Sequence, residues 1–324
     1  MLKKRLFTTP FFFFFTLFLV SCSLQEPSQE DRWENHAAKI FQAFKAKLTA
    51  ESSLEEMNAF AQANFLRPRG YERLAPETIS HYKALVEGRL TQEEQDIIYK
   101  VFEDLGELKD VYPLIKKADY VLIMGSTVES MRARIMFFNR LVAEGKITLQ
   151  PTTQIVFLSG DRPLLPSENA TVLTSSTFNP LREGWIAPEA LPENEVDLAP
   201  FLWKQLELTP VLLSYEPVYV NAPKKDGTHR ATTADTVEAF ARNHRPTPGH
   251  VLIISENPFV RYQGLVTETL FLQKNLKAFT FESVGPMHRV KDVPLYIRLG
   301  GLLDNFARTL YQRIALKKAE KAKV

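Results

Sequence analysis

The sequence predicts an α/β fold, a Rossmann-like parallel sheet with helices on both faces, preceded by an all-helical segment. From about Asp119 onward, short continuous apolar runs alternate with segments of helical periodicity, a rhythm typical of a parallel sheet covered on both faces. From Asp31 to about Tyr112, apolar residues recur only at helical spacing. The 324 residues are 45% hydrophobic and 24% charged, which is an ordinary globular composition.

The first 21 residues have the three zones of a secretory signal. Lys3, Lys4 and Arg5 form a cationic start, and residues 11–20 are almost purely apolar. This apolar run is too short to span a membrane, which takes ~20 residues. The run ends in Leu-Val-Ser followed by Cys22. This segment resembles the lipobox of bacterial lipoproteins, in which cleavage precedes a lipid-modified cysteine.

Cys22 is the only cysteine in the chain. We therefore expect residues 1–21 to be removed, Cys22 to carry acyl chains that anchor it to membrane lipid, and residues 22–30 to act as a tether. The alternative is an uncleaved apolar anchor with an incidental cysteine. By analogy with the sorting rule of diderm bacteria, Ser23 after the modified cysteine favours the outer membrane, facing the periplasm. A single cysteine excludes intramolecular disulfides and cysteine-based zinc clusters.

Residues 31–115 are predicted to form three or four helices that pack on the following domain. Trp33, Phe41 and Leu48 belong to a stripe at helical spacing. Two pairs fit the capping box, in which a hydroxyl and a carboxylate satisfy the first free amides of a helix: Ser52 with Glu55, and Thr91 with Glu94.

Residues 118–288 are predicted to form the Rossmann-like domain, with four strands. The strands are predicted at 120–124, 154–158, 251–254 and 279–284. A helix after the first strand should end near Glu144, with Gly145 closing it. The acidic, proline-rich segment 180–200 is predicted to be a surface insertion.

Residues 289–324 are predicted to form a C-terminal amphipathic helix and a basic tail. The helix spans 294–318, with a break expected near Gly300-Gly301. The lysine-rich tail 317–323 has two interpretations, a solvated helix end or a contact with anionic lipid headgroups.

Three predicted strand ends carry small or hydroxyl residues: Gly125-Ser126-Thr127, Ser159-Gly160-Asp161 and Ser255-Glu256-Asn257. In parallel sheets ligands bind beyond the carboxyl ends of the strands, where open helix N-termini attract anions. Arginines follow these loops, and a guanidinium suits phosphate or carboxylate. The sequence therefore predicts a pocket for an anionic group, lined by the following residues: Gly125, Ser126, Arg134, Ser159, Gly160, Thr233, Ser255 and Arg261.

From about Ala118 to Met287 the chain resembles the SanA/YdcF-like family of bacterial envelope proteins, which have a Rossmann-like domain of poorly defined function. The resemblance rests on the first strand with Gly125, on Arg134 before Gly145, and on Ser159-Gly160. Asp161 replaces the second glycine of the family's Ser-Gly-Gly turn.

Two further motifs carry the resemblance. Residues 233–236 occupy the place of the family's Thr-x-Glu-Asn, and Ser255 and Arg261 keep the spacing of its Ser-x-x-His-x-x-Arg. Pro258 stands at the histidine position, which removes the obvious proton shuttle. His229 near Asp235 is a substitute candidate base.

The sequence is compatible with two alternative functions. In the first, the domain binds an anionic, phosphate-bearing envelope metabolite, Asp235 orients a hydroxyl or water, and transferase or hydrolase activity stays open. In the second, the protein is a non-catalytic, lipid-tethered structural or interaction module. No nucleic-acid partner is expected, because the basic residues are not interleaved with aromatics along one face. Histidine spacing predicts no metal site, and the sequence names no cofactor.

Overall fold

The computed structural model describes residues 29–70, 72–176, 179–228, 230–287 and 293–322. The predicted signal, Cys22, His229 and the end of the tail lie outside these residues. The helices that it contains are α1 (Gln29–Ala43), α2 (Leu54–Asn64), α3 (Pro76–Val86), α4 (Gln92–Asp104), α5 (Val128–Ala143), α6 (Ala170–Thr174), α7 (Glu195–Gln205), α8 (Pro210–Leu213), α9 (Thr233–His244), α10 (Val260–Gln273) and α11 (Leu295–Lys321).

Helices α1 to α4 confirm the predicted helical segment, and they share one apolar core with α11. Trp33 stacks on Phe306 with ring centroids 5.3 Å apart, and Phe41 lies against the same ring. The capping box at Thr91 and Glu94 is confirmed. The capping box predicted at Ser52 and Glu55 is wrong by one position, because Ser53 and Glu56 form the box at the start of α2.

The predicted α/β fold is confirmed as a five-stranded, all-parallel sheet in the order β3-β2-β1-β4-β5. The strands are β1 (Tyr120–Met124), β2 (Gln154–Gly160), β3 (Val218–Ala222), β4 (His250–Ile254) and β5 (Thr280–Val284). The sequence analysis missed β3. This strand lies at the sheet edge and is only partly buried, so it lacks the continuous apolar run that marked the others.

Separate apolar clusters cover the two faces of the sheet. One cluster includes buried residues of α5 and α7, and the other includes those of α9 and α10. Gly145 adopts a positive φ of 65° directly after the C-cap of α5, as predicted.

Helix α11 is continuous through Gly300-Gly301, so the predicted break is wrong. A Cβ on Gly300 would lie 2.3 Å from the ring of Tyr82, and one on Gly301 would lie 2.8 Å from the Arg73 guanidinium. The two glycines therefore allow close approach of loop and helix side chains, rather than a bend.

The predicted surface insertion at 180–200 is wrong at its C-terminal end, where α7 begins. Glu195 and Leu198 are buried, although the segment is acidic and rich in proline. The charge of Glu195 is compensated inside the protein by Arg162, which is why composition alone misplaced it.

Candidate functional site

The carboxyl ends of β1 and β4 meet at the point where the strand order reverses, which is the usual ligand crevice of an open α/β sheet. The loops after β1, β2 and β4 all reach this edge, together with the N-termini of α5, α9 and α10. The predicted strand-end residues therefore do lie along one edge, and their contacts show what each side chain does there.

At the end of β1, the chain's own carboxylate occupies the N-terminus of α5. Thr127 gives no side-chain cap. Instead, the amide of Val128 donates to Glu168 at 2.8 Å, and the amide of Leu165 donates to the same carboxylate at 2.7 Å. An anion is already present where the free amides and the helix dipole would attract one.

At the end of β2, a second carboxylate of the chain occupies the predicted anion position. The amide of Gly160 donates to Glu195 at 3.1 Å. A Cβ on Gly125 would lie 2.2 Å from the same carboxylate, so glycine is needed there to admit Glu195. Ser159 is buried, and its hydroxyl has no hydrogen-bond partner in the described part of the chain.

Arg162 joins these two carboxylates. Its guanidinium donates to Glu168 at 2.8 Å and to Glu195 at 3.0 Å, and it reaches the carbonyl of Ser126 at 3.4 Å. All three charged side chains are buried. Although burial opposes it, the two carboxylates hold the pKa of Arg162 above its ordinary value. A buried charge needs such pairing, because desolvation costs several kcal/mol per ion.

Both terminal nitrogens of the Arg134 guanidinium are engaged inside the protein. The guanidinium donates to the carbonyls of Met124 and Gly125 at 2.6 and 2.9 Å, and it pairs with Glu256 at 3.3 Å. Only 2% of the side chain is exposed. This arginine ties the end of β1 to the loop after β4, and its charge is not presented to solvent.

Ser255 and Thr233 are brought together through Gln263. The hydroxyl of Ser255 donates to the amide oxygen of Gln263, and the amide nitrogen of Gln263 donates to the hydroxyl of Thr233 at 3.3 Å. Ser255 and Gln263 are buried, while Thr233 is half-buried. These polar groups connect the loop after β4 to the start of α9.

Asp235 caps α9 in a capping box with Thr232 and forms an ion pair with Lys225. Although burial opposes it, hydrogen bonds from Lys225 and Thr232 hold the pKa of Asp235 below its usual value. A carboxylate that is ionised and paired in this way is poorly suited to act as a base at neutral pH.

Arg261 is half-buried at the start of α10 and interacts electrostatically with Glu107. Arg134 pairs with Glu256 instead, so the two arginines predicted to share an anion act on different carboxylates. Glu107 is buried, and burial raises its pKa to about 7 against the opposing effects of Arg261 and Asn305.

The sequence analysis missed Arg73, which lies in the loop between α2 and α3. Its guanidinium lies 5.5 Å from the ring centroid of Phe259, beside Gly301. Burial lowers the pKa of Arg73. Within the described part of the chain, the hydrogen bonds and ion pairs include none that this guanidinium makes. No sequence periodicity marks the loop, so only the fold places Arg73 at the sheet edge.

Other arginines surround this position. Arg67 and Arg308 both pair with the buried Asp304, at 3.5 and 3.0 Å, and Arg230 pairs with Glu72 at 3.5 Å. These pairs connect the helical segment, α11 and the loop before α9. Arg73 therefore lies in a cluster of arginines that share the carboxylates of this region, and the charges of Glu256 and Asp304 act on it electrostatically.

In the described ranges, no group of three histidine, cysteine or acidic side chains is arranged to hold a metal ion. Nor does any helix there have the length and apolar character needed to cross a membrane. No protein-family model matches the chain, and comparisons with curated proteins and with solved structures found no significant match.

Proposed function

We propose that the chain is a lipid-anchored protein of the bacterial cell envelope whose α/β domain binds a small, phosphate-bearing anion. The anchoring half of this proposal rests on the signal-like residues 1–21 and on Cys22 as the only cysteine. In a diderm host, Ser23 favours the outer membrane, facing the periplasm. The resemblance to SanA/YdcF-like envelope proteins agrees with this location.

The binding half rests on one observation, the guanidinium of Arg73. It is packed over Phe259 at the carboxyl edge of the sheet, without a hydrogen-bond acceptor among the described residues. Arginine presents a planar fork of donors that fits phosphate or carboxylate. A bound anion would supply the acceptors that the described residues do not, and would add to the attraction of Glu256 and Asp304 for this partly desolvated charge.

The geometry favours binding over group transfer. Arg134 and Ser255, which sequence analysis placed around the anion, and Asp235, which it expected to orient a hydroxyl or water, are occupied by contacts within the chain. Of the three predicted strand ends, the proposal therefore keeps only the β4 end, where Arg73 and Arg261 lie beside the start of α10.

One observation favours the second candidate, a non-catalytic structural or interaction module. Glu168 and Glu195 fill the amide sites at the β1 and β2 ends. A domain that supplies its own anions at two strand ends needs no ligand there to be complete.

Ligand binding separates the two candidates. The full chain, purified from membranes in detergent, is melted in the presence of inorganic phosphate, sugar phosphates and nucleotides. A ligand at 100 times its dissociation constant should stabilise the protein by ~2.7 kcal/mol. The shift should vanish in Arg73→Ala and persist in Arg69→Ala, an exposed arginine of the same loop. No shift for any phosphate compound would favour the interaction module.

Anchoring is tested on its own. Mass spectrometry of the N-terminal peptide should find acylated Cys22 and no residues 1–21. Cys22→Ala should move the protein from the membrane fraction to the soluble fraction. An unmodified N-terminus with unchanged membrane association would instead indicate the uncleaved apolar anchor.

A further inference from the structure

An apolar tip is exposed in the segment 112–117, between α4 and β1. Leu114 is 91% exposed and Ile115 47% exposed, with the partly exposed ring of Tyr112 beside them. The amides of Leu114 and Ile115 both donate to the carboxylate of Glu282 in β5. The backbone is thereby held while the apolar side chains stay exposed.

The tip leads to the amino-terminal edge of the sheet. Lys116 and Lys117 follow the apolar residues and are exposed. Lys117 pairs with Thr148, just before β2 begins. The tip therefore runs along the outer side of β5 to the amino-terminal edge of the sheet. Because all five strands are parallel, this edge is opposite the carboxyl edge at which Arg73 lies.

This amino-terminal edge carries an excess of positive charge. It is formed by the segments that lead into the five strands: 112–119, 144–153, 214–217, 242–249 and 273–279. They contain seven basic residues (Lys116, Lys117, Lys146, Arg242, Arg245, Lys274 and Lys277) and three acidic ones (Asp119, Glu144 and Glu216), a net charge of +4. Glu238 of α9 pairs with Lys274, and Glu282 of β5 lies 3.8 Å from His250 at this edge, which lowers the excess to +2.

Helices α10 and α11 also run toward the amino edge of the sheet. Helix α10 runs from the carboxyl edge of the sheet to the amino edge, since it joins β4 to β5. Helix α11 runs parallel to it, because Asn305 donates to the carbonyl of Pro258 just before α10, while Glu320 acts on Glu268 farther along both helices.

Trp33, near the start of α1, stacks on Phe306 in the middle of α11. The Arg313 guanidinium lies 4.1 Å from the ring centroid of Trp33. Lys317, Lys318 and Lys321 continue α11 past this contact and are exposed, and Glu320 is the acidic residue among them. Helix α1 begins only seven residues after Cys22, a span of at most about 25 Å, so the described fold would lie close to a membrane that holds the proposed anchor.

We propose that the amino-terminal edge of the sheet faces an anionic lipid surface, with Leu114 and Ile115 in the membrane interface. Apolar side chains flanked by an aromatic ring and lysines fit this interface, since the apolar part enters the acyl boundary while the ammonium groups meet lipid phosphates. The orientation rests on the proposed lipid attachment at Cys22. In this orientation the carboxyl edge with Arg73 faces away from the membrane, toward soluble ligands.

The experiment uses the lipidated chain in vesicles of phosphatidylcholine, with and without phosphatidylglycerol. The only native thiol is consumed by the lipid, so a cysteine introduced by Leu114→Cys can be labelled alone with an environment-sensitive fluorophore. Ile186→Cys is the matched control, because Ile186 is 86% exposed and lies outside the tip. With phosphatidylglycerol present, the label at 114 should shift to shorter wavelength and lose quenching by aqueous iodide, while the label at 186 should not.

Charge reversal by Lys116→Glu with Lys117→Glu should weaken the shift at position 114. In the unlipidated Cys22→Ala protein, Leu114→Ser with Ile115→Ser should lower vesicle binding by about tenfold or more, the effect of losing one buried leucine. Equal spectra at 114 and 186 would overturn the proposal. So would a shift at 114 that appears without vesicles, since that result indicates a protein contact.

Failure of the anchoring proposal gives a different result. Cys22 without lipid is seen by mass and takes up the fluorophore, whereas a wrong orientation leaves Cys22 acylated and the label at 114 in water. The unlipidated Cys22→Ala protein then tests the lipid surface directly.

Discussion

Replacing Glu107 with glutamine should remove a loss of stability that the wild-type protein suffers as the pH rises. Glu107 is buried beside Arg261 and Asn305. Burial raises its pKa from 4.5 to about 7, although the charge of Arg261 and the amide of Asn305 oppose the shift. The folded protein therefore holds a proton on Glu107 at a pH where the unfolded chain has lost it.

The sign and size of the effect follow from this difference in pKa. The contribution of Glu107 to stability is fully present below pH 4.5, falls as the pH rises, and is lost above about pH 7. Each pKa unit corresponds to ~1.36 kcal/mol, so the loss is roughly 3 kcal/mol. Glutamine resembles the neutral carboxyl in shape and does not ionise, so the variant should be the more stable protein at pH 8 by roughly that amount.

The assay is urea unfolding of both proteins at several values between about pH 4.5 and 8. The exposed Glu93→Gln in α4 serves as the control and should follow the wild type at every pH. If the wild type and Glu107→Gln lose stability in parallel across this range, Glu107 does not carry a proton in the folded protein, and the reasoning from its burial is wrong.

Three further predictions concern stability. Glu168→Gln should destabilise the fold by about 3–5 kcal/mol, because it breaks a buried ion pair and a carboxylate cap, and urea unfolding should measure this loss. Gly300→Ala should lower the melting temperature because its Cβ would meet the Tyr82 ring; combining it with Tyr82→Ala should cost less than the two separate losses added together, and additive losses would contradict the contact. Ser53→Ala should cost about 1 kcal/mol through loss of the α2 cap, whereas Ser52→Ala should cost less, and equal losses would argue against the observed capping box.

The amino-acid sequence by itself determined the fold class and much of the element order. Strand β1 is predicted at its observed bounds, because a strand buried on both faces has a continuous apolar sequence. Helix α5 and its closure at Gly145 follow from local rules of periodicity and backbone conformation. Such signals lie within one element and its immediate neighbours, so they can be read without knowing the partners.

Tertiary structure alone decided which charges are paired inside the protein. Sequence analysis placed Arg134 around an anion, yet Arg134 pairs with Glu256, 122 residues away. Glu195 was placed on the surface, yet it lies inside beside Gly160 and Arg162. Arg73 had no sequence signal at all. The physical reason is that the availability of a charge depends on the distance and burial of its partner, and the chain sets those only when it folds.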